Sequence, residues 1–212
     1  MTQERIVFPC GKIKLEGIFY KVERTGTVPA VVVCHPHPLF GGSMHNNVTY
    51  AIAGALASVS IAALLFNFRG VGRSEGEYGG GLAEQEDVAA ALQWLQTQGT
   101  VNPDQLALAG YSFGAAVAFP AACADMRVKG VALISPYFEQ AHIPLLKNCT
   151  KPKLIVSGAN DEVVAADDAR QYYAMAAEPR EFALIEGADH FWGGYESRMA
   201  DVTARFIKGL FI

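Results

Sequence analysis

Long apolar runs are missing from these 212 residues: IAALLFNF at 61–68 is among the longest and falls far short of the ~20 residues a membrane-crossing helix needs. The opening residues, MTQERIVFPCGK, include Glu4 and Arg5 and hold no apolar stretch of signal-peptide length, so the expectation is a cytoplasmic protein with no membrane partner. Basic charge is scarce as well. Lys and Arg number 17 against 21 Asp and Glu, a net charge of −4, and no basic cluster offers a footprint for nucleic acid. Cysteine is confined to Cys10, Cys34, Cys123 and Cys149 without a C-x-x-C pair, which excludes a dense disulfide framework and fits reduced thiols. No G-x-G-x-x-G follows an early strand and no G-x-x-x-x-G-K-[ST] follows any, so dinucleotide and phosphate-loop chemistry are set aside.

What remains is an apolar, lightly charged chain, 51% against 18%, sized for a single domain over residues 1–212 with a substantial core. Two N-terminal segments, RIVFP and KIKLEGIFYKV, read as an antiparallel pair at a sheet edge. Six continuous apolar runs follow, at 30–34, 62–68, 105–111, 128–135, 153–158 and 181–186, and these suit strands buried on both faces of a parallel sheet. Helical periodicity falls between them at 46–58, 82–98, 113–124, 164–177 and 195–209. Such alternation implies a doubly wound α/β sheet with right-handed crossovers, whose ligand site lies beyond the carboxyl ends of the strands.

The residues after each strand therefore carry the functional signal. GYSFG, 110–114, sets Ser112 between two glycines where a strand turns into a helix. That context makes G-x-S-x-G a nucleophile elbow, a strained turn so crowded that side chains two positions either side would collide. A glycine-rich turn with a surface serine is the bland alternative. A serine hydroxyl needs a base to take its proton, and on this fold acid and histidine follow the serine in chain order. His35, His37 and His45 precede Ser112 and His142 precedes the best acid, which leaves His190 in GADHF. Asp161, ending KLIVSGAND, is the candidate to orient that imidazole, ahead of its neighbour Glu162 and of Asp189, which adjoins His190 too closely. Helix capping by Asp161 and a satisfied loop histidine at 190 are the competing readings.

Acyl transfer also requires two N–H donors for a developing oxyanion. Phe113 supplies one. In the loop CHPHPLFGGS the prolines have no N–H, so His37 is the inner donor, with Leu39 in reserve. A metal reading of His35, His37 and His45 fails on the interleaved prolines and the lack of nearby carboxylates, and His35 is expected to brace the loop instead. Arg69, in the glycine-rich stretch NFRGVGRSEGEYGGG, reads as half of a structural ion pair, and Asp87 as structural too. Phe40, Tyr78, Tyr137, Phe138 and Trp192 follow strand ends and are candidates to line a substrate pocket. Pro120 should kink or end the helix after the elbow.

With GYSFG, GAND, GADHF, HPHPLFGG and FNFRGVGRSEG in hand, the chain resembles the α/β-hydrolase superfamily over essentially its whole length, and within it the small lidless bacterial hydrolases related to dienelactone hydrolase and to acyl-peptidase and esterase families. The resemblance implies a mainly parallel sheet of about eight strands flanked by helices, a Ser-His-Asp triad and no cofactor. Dienelactone hydrolases use a cysteine where this chain has Ser112, so their lactone specificity is not carried over. Only residues 136–150 separate one strand from the next where relatives insert a lid, room for a loop and short helix. The expected activity is hydrolysis of a small carboxylic ester through an acyl-enzyme. Thioesterase, lactonase and acyl-peptide hydrolase chemistries share the same residues, and a catalytically silent binding protein on the same fold is the non-enzymatic alternative. The expected partner is a small-molecule acyl substrate; whether the chain acts alone or as a homodimer is open.

Overall fold

Strands buried on both faces must be apolar at every position, and that is how the centre of the sheet is built. The computed structural model describes residues 1–212. An N-terminal hairpin, β1 (Thr2–Cys10) and β2 (Ile13–Lys21), is followed by β3 (Val28–Cys34), α1 (Asn47–Ser58), β4 (Ala62–Phe66), α2 (Glu84–Gln96), β5 (Val101–Tyr111), α3 (Phe113–Ala124), β6 (Val128–Ile134), α4 (Ile143–Asn148), β7 (Lys153–Gly158), α5 (Ala166–Met175), β8 (Arg180–Ile185) and α6 (Glu196–Gly209). One eight-stranded sheet results, ordered β1-β2-β4-β3-β5-β6-β7-β8. The pairings β1–β2 and β2–β4 are antiparallel and all the others parallel, so the antiparallel edge and the parallel body both match the sequence pattern.

Alternate residues of the inner strands feed two separate cores. On β3, Ala30, Val32 and Cys34 join one, while Val31 and Val33 join the other; β4 divides likewise into Ala62, Leu64, Phe66 and Ala63, Leu65. Helices α2 to α5 cover the first core and α1 with α6 the second, the doubly wound arrangement. Each fully buried Val or Leu contributes roughly 1.5–3 kcal/mol relative to exposure, so a polar substitution on β3 would be felt on whichever face it landed. No helix is long and apolar enough to cross a membrane.

Three local expectations shift. β4 stops at Phe66 rather than 68: the Asn67 N–H still donates to Glu16 O at 3.0 Å, but Ser74 Oγ comes between the strands, donating to Asn67 O at 2.6 Å and accepting Glu16 N–H at 3.1 Å. β5 starts at Val101, earlier than 105, through a register break opposite β3. Helix α3 does not end at Pro120 but runs to Ala124. Proline at 120 has no N–H for the Ala116 carbonyl, and His142 Nε2 takes that carbonyl instead at 3.0 Å. The missing helical bond thereby becomes an anchor for the segment between β6 and β7.

Candidate active site

The loops after β3, β4, β5, β6, β7 and β8 carry every predicted site residue, so the topology gathers them at one rim. Ser112 occupies the β5–α3 turn with φ 55° and ψ −118°, a strained conformation for a residue with a side chain. Crowding explains the flanking glycines: a Cβ on Gly110 would overlap the Gly114 carbonyl, and one on Gly114 would overlap the carbonyls of Cys34 and His35. Close approach of the turn to β3 is what lets the loop after β3 reach over the serine.

Ser112 Oγ lies 3.1 Å from His190 Nε2, and His190 Nδ1 lies 2.9 and 3.0 Å from the two oxygens of Asp161. The three come from sequence positions up to 78 residues apart, and all three are buried. Asp161 Oδ1 also accepts the N–H groups of Val163 at 3.0 Å and Val164 at 2.7 Å, which closes a turn ahead of α5; the helix itself begins at Ala166 with Ala165 at its cap, so Asp161 does not cap a helix. Burial opposes ionisation of Asp161, but the bonds from His190 and the Val164 N–H outweigh it and hold the carboxyl below its ordinary value. Ser135, at the end of β6 with φ 42°, is fully buried beside this carboxylate and was not foreseen; its positive φ is invisible in a sequence. Glu162 is exposed, and Asp189 turns to its own loop, accepting Phe191 and Trp192 N–H at 2.9 Å each.

Neither the Phe113 nor the His37 N–H is engaged within the protein, whereas the fallback donor Leu39 N–H is already bound to His37 Nδ1 at 3.2 Å. The His37 ring packs 4.8 Å from Phe113, which brings the loop after β3 against the elbow. His35 does brace that loop. Its Nε2 accepts the Phe68 N–H at 3.1 Å, which leaves the proton on Nδ1 to donate to Pro36 O at 2.6 Å. His45 pairs with Tyr50, so the three histidines face three different partners, and no group of His, Cys, Asp and Glu converges as a metal cluster. Arg69 grips the fully buried Asp87 with Nε at 3.0 Å, Nη2 at 2.8 Å and its own N–H at 2.9 Å, tying the loop after β4 to α2.

A cleft of about 330 Å³ opens beside the elbow, bounded by His37, Tyr78 and Phe113 on one side and residues 137–145 on the other. Of the five pocket candidates it takes in Tyr78 and Tyr137. The other three are corrected. Phe40 is 87% exposed and leans on His37 outside the cleft; Phe138 is buried against Phe119 and Tyr172. Trp192 is fully buried in the core beneath α6, its backbone turned inward at φ 64°. Two residues missed from sequence shape the cleft. His142 is one, and the signal for it was the carbonyl left open by Pro120. Glu84 is the other, buried and accepting Gly79 and Gly81 N–H at 2.7 Å each, which fixes the glycine rim. Hollows of about 580 and 600 Å³ lie alongside α6 and contain none of these groups.

An eight-stranded, mainly parallel open sheet with a serine on the strand-to-helix turn and no inserted lid defines the class: a lidless α/β serine hydrolase fold. The family model for the X-Pro dipeptidyl-peptidase (S15 family) matches residues 22–143, more than half the chain, and the chain belongs to that family. A structure described as an alpha-beta serine hydrolase homologue from Coxiella burnetii is 32% identical, with a TM-score of 0.88 over 97% of both chains. A Xanthomonas campestris serine hydrolase without a lid is 26% identical, with a TM-score of 0.84 over 99% of this chain and 95% of its own. Among sequences, a protein described as a thiohydrolase from Arthrinium phaeospermum is 34% identical over 125 residues, 58% of this chain and 39% of that one.

Proposed function

We propose that this protein hydrolyses small carboxylic esters through an acyl-enzyme, with Ser112 as nucleophile, His190 as general base and acid, and Asp161 orienting the imidazole. The observation that carries the reading is the unbroken relay from Asp161 through His190 to Ser112 Oγ. In this scheme Nε2 takes the serine proton as Oγ attacks the carbonyl carbon. The unengaged N–H groups of Phe113 and His37 are the donors for the tetrahedral oxyanion. The imidazolium, stabilised by Asp161, then gives its proton to the leaving alcohol, and the neutral imidazole next takes one from the water that releases the acid.

A fluorophosphonate probe tests the chemistry directly. It should label the native chain on the peptide carrying Ser112 and leave heat-denatured protein unlabelled; no labelling would favour a silent binding protein instead. Substrate size follows from the 330 Å³ cleft and the absence of a lid, which suit short or medium acyl groups. The acetyl ester of p-nitrophenol should be hydrolysed with at least tenfold higher kcat/KM than the decanoyl ester, and the reverse order would overturn this size limit. Thioester cleavage by the same groups is the second reading, supported by the likeness to a thiohydrolase.

A further inference from the structure

We propose that Tyr111, the residue before the candidate nucleophile, is a positioning residue that fixes His190 against Ser112 by holding the His190 backbone. The inference rests on the triad reading above and adds to it the device that sets the distance between base and nucleophile.

Tyr111 closes β5 in the middle of the sheet and is only 3% exposed. Its phenol donates to the His190 carbonyl oxygen at 2.7 Å, and its ring stands 5.4 Å from the imidazole. No other group in the protein donates to that carbonyl. Burial, together with the charges of Asp161 and Asp189, pushes the phenol far above its ordinary range, so it remains a neutral donor wherever the protein is folded.

The segment that carries His190 needs such a hold. Between β8 and α6 it has neither helix nor strand, and Gly187, Trp192 and Gly194 all have positive φ, at 83°, 64° and 81°. Its Phe191 and Trp192 N–H groups are absorbed locally by Asp189. Outside anchors are few: Asn160 N–H to Ala188 O at 2.8 Å, Asn47 Nδ2 to Phe191 O at 3.0 Å, and Tyr111 to His190 itself. Of these, only the Tyr111 bond comes from the strand that carries Ser112, one residue away. It ties base and nucleophile to a single rigid backbone. Without it the imidazole keeps its contacts to Asp161 and Ser112 and its loop keeps the anchors at Ala188 and Phe191, but nothing holds the His190 backbone itself, and the ring can pivot about the Nδ1 contact.

Pivoting matters most when His190 must deliver a proton. In acylation Nε2 removes the Oγ proton, the Oγ–C bond forms, and the C–O bond to the leaving group breaks as that oxygen takes the proton. p-Nitrophenoxide leaves without needing it; an unactivated phenoxide or alkoxide does not.

The test is Tyr111→Phe, which keeps the ring and deletes one hydroxyl. We expect kcat/KM to fall about 30-fold on phenyl acetate and about threefold on p-nitrophenyl acetate, since proton transfer is worth on the order of 10²–10⁴-fold and misplacement forfeits part of it. A merely structural tyrosine would lower Tm and penalise both esters alike. Equal penalties, or none, in an active protein would overturn the inference while leaving the triad reading intact. A wild-type chain that neither turns over esters nor takes the fluorophosphonate would remove both.

Discussion

Replacing Ser112 with alanine should lower kcat/KM on p-nitrophenyl acetate by about 10⁴-fold or more, with loss of fluorophosphonate labelling. The size follows from what is removed: no other hydroxyl or thiol stands within reach of His190 Nε2, whose partner in the protein is Ser112 Oγ at 3.1 Å. Little stability should go with it. Alanine has one heavy atom fewer and inherits the same φ of 55°, so the strain of the turn is neither relieved nor increased. The Ser112 N–H still donates to Ile134 O at 2.9 Å, and the Ser112 carbonyl still receives Ala115 and Ala116 N–H. A Tm within a few degrees of wild type, with activity lost, would assign the chemistry to the hydroxyl. Activity within tenfold of wild type would end the acyl-enzyme scheme.

Much of this site could be read from the chain because its chemistry is local in sequence and its assembly is dictated by topology. GYSFG holds its own explanation: the glycines are required by carbonyls of Gly114 and Cys34, and the strand before and helix after are apolar runs no loop would contain. Asp161 and His190 were legible for a related reason, since each follows a strand in the order β5, β7, β8, β7 buried throughout and β8 an edge strand buried only at Ile185, and parallel strands deliver their carboxyl ends to one rim. Where reading failed, the missing information was three-dimensional. Trp192 sits two residues from His190, yet a single positive φ turns it from the rim into the core beneath α6, and nothing in HFWGG announces that. Phe138 and Tyr137 are neighbours with opposite fates, one packed on Phe119 and the other 51% exposed at the cleft. Tyr111 carries no signal of its own between Gly110 and Ser112; its bond to His190 spans 79 positions. Alternation along a strand tells which residues share a face, not which distant carbonyl waits there.

His35 offers the second large effect, and here the readout is stability. The ring is fully buried with Nε2 accepting from Phe68 N–H and Nδ1 donating to Pro36 O, an arrangement open only to the neutral imidazole. Burial pushes its pKa down from 6.5 to about 4, against a smaller opposing pull from the Pro36 carbonyl. In the unfolded chain the same ring titrates near its ordinary value, so between pH 6.5 and about 4 the unfolded state binds a proton that the folded state refuses. Stability is therefore full above pH 6.5, declines as pH falls through that window, and has no further contribution from His35 below it. At about 1.4 kcal/mol per pH unit the decline amounts to roughly 3 kcal/mol. His35→Gln can still accept from Phe68 N–H and donate to Pro36 O but cannot take a proton, so urea unfolding at pH 7, 5.5 and 4 should show its stability nearly flat where the native chain falls. Parallel curves for the two proteins would mean that the imidazole is not the group titrating. In the proposed scheme the consequence reaches the chemistry, because His35 holds Pro36, the residue before the proposed oxyanion donor His37: a protonated His35 would loosen the brace and that donor together.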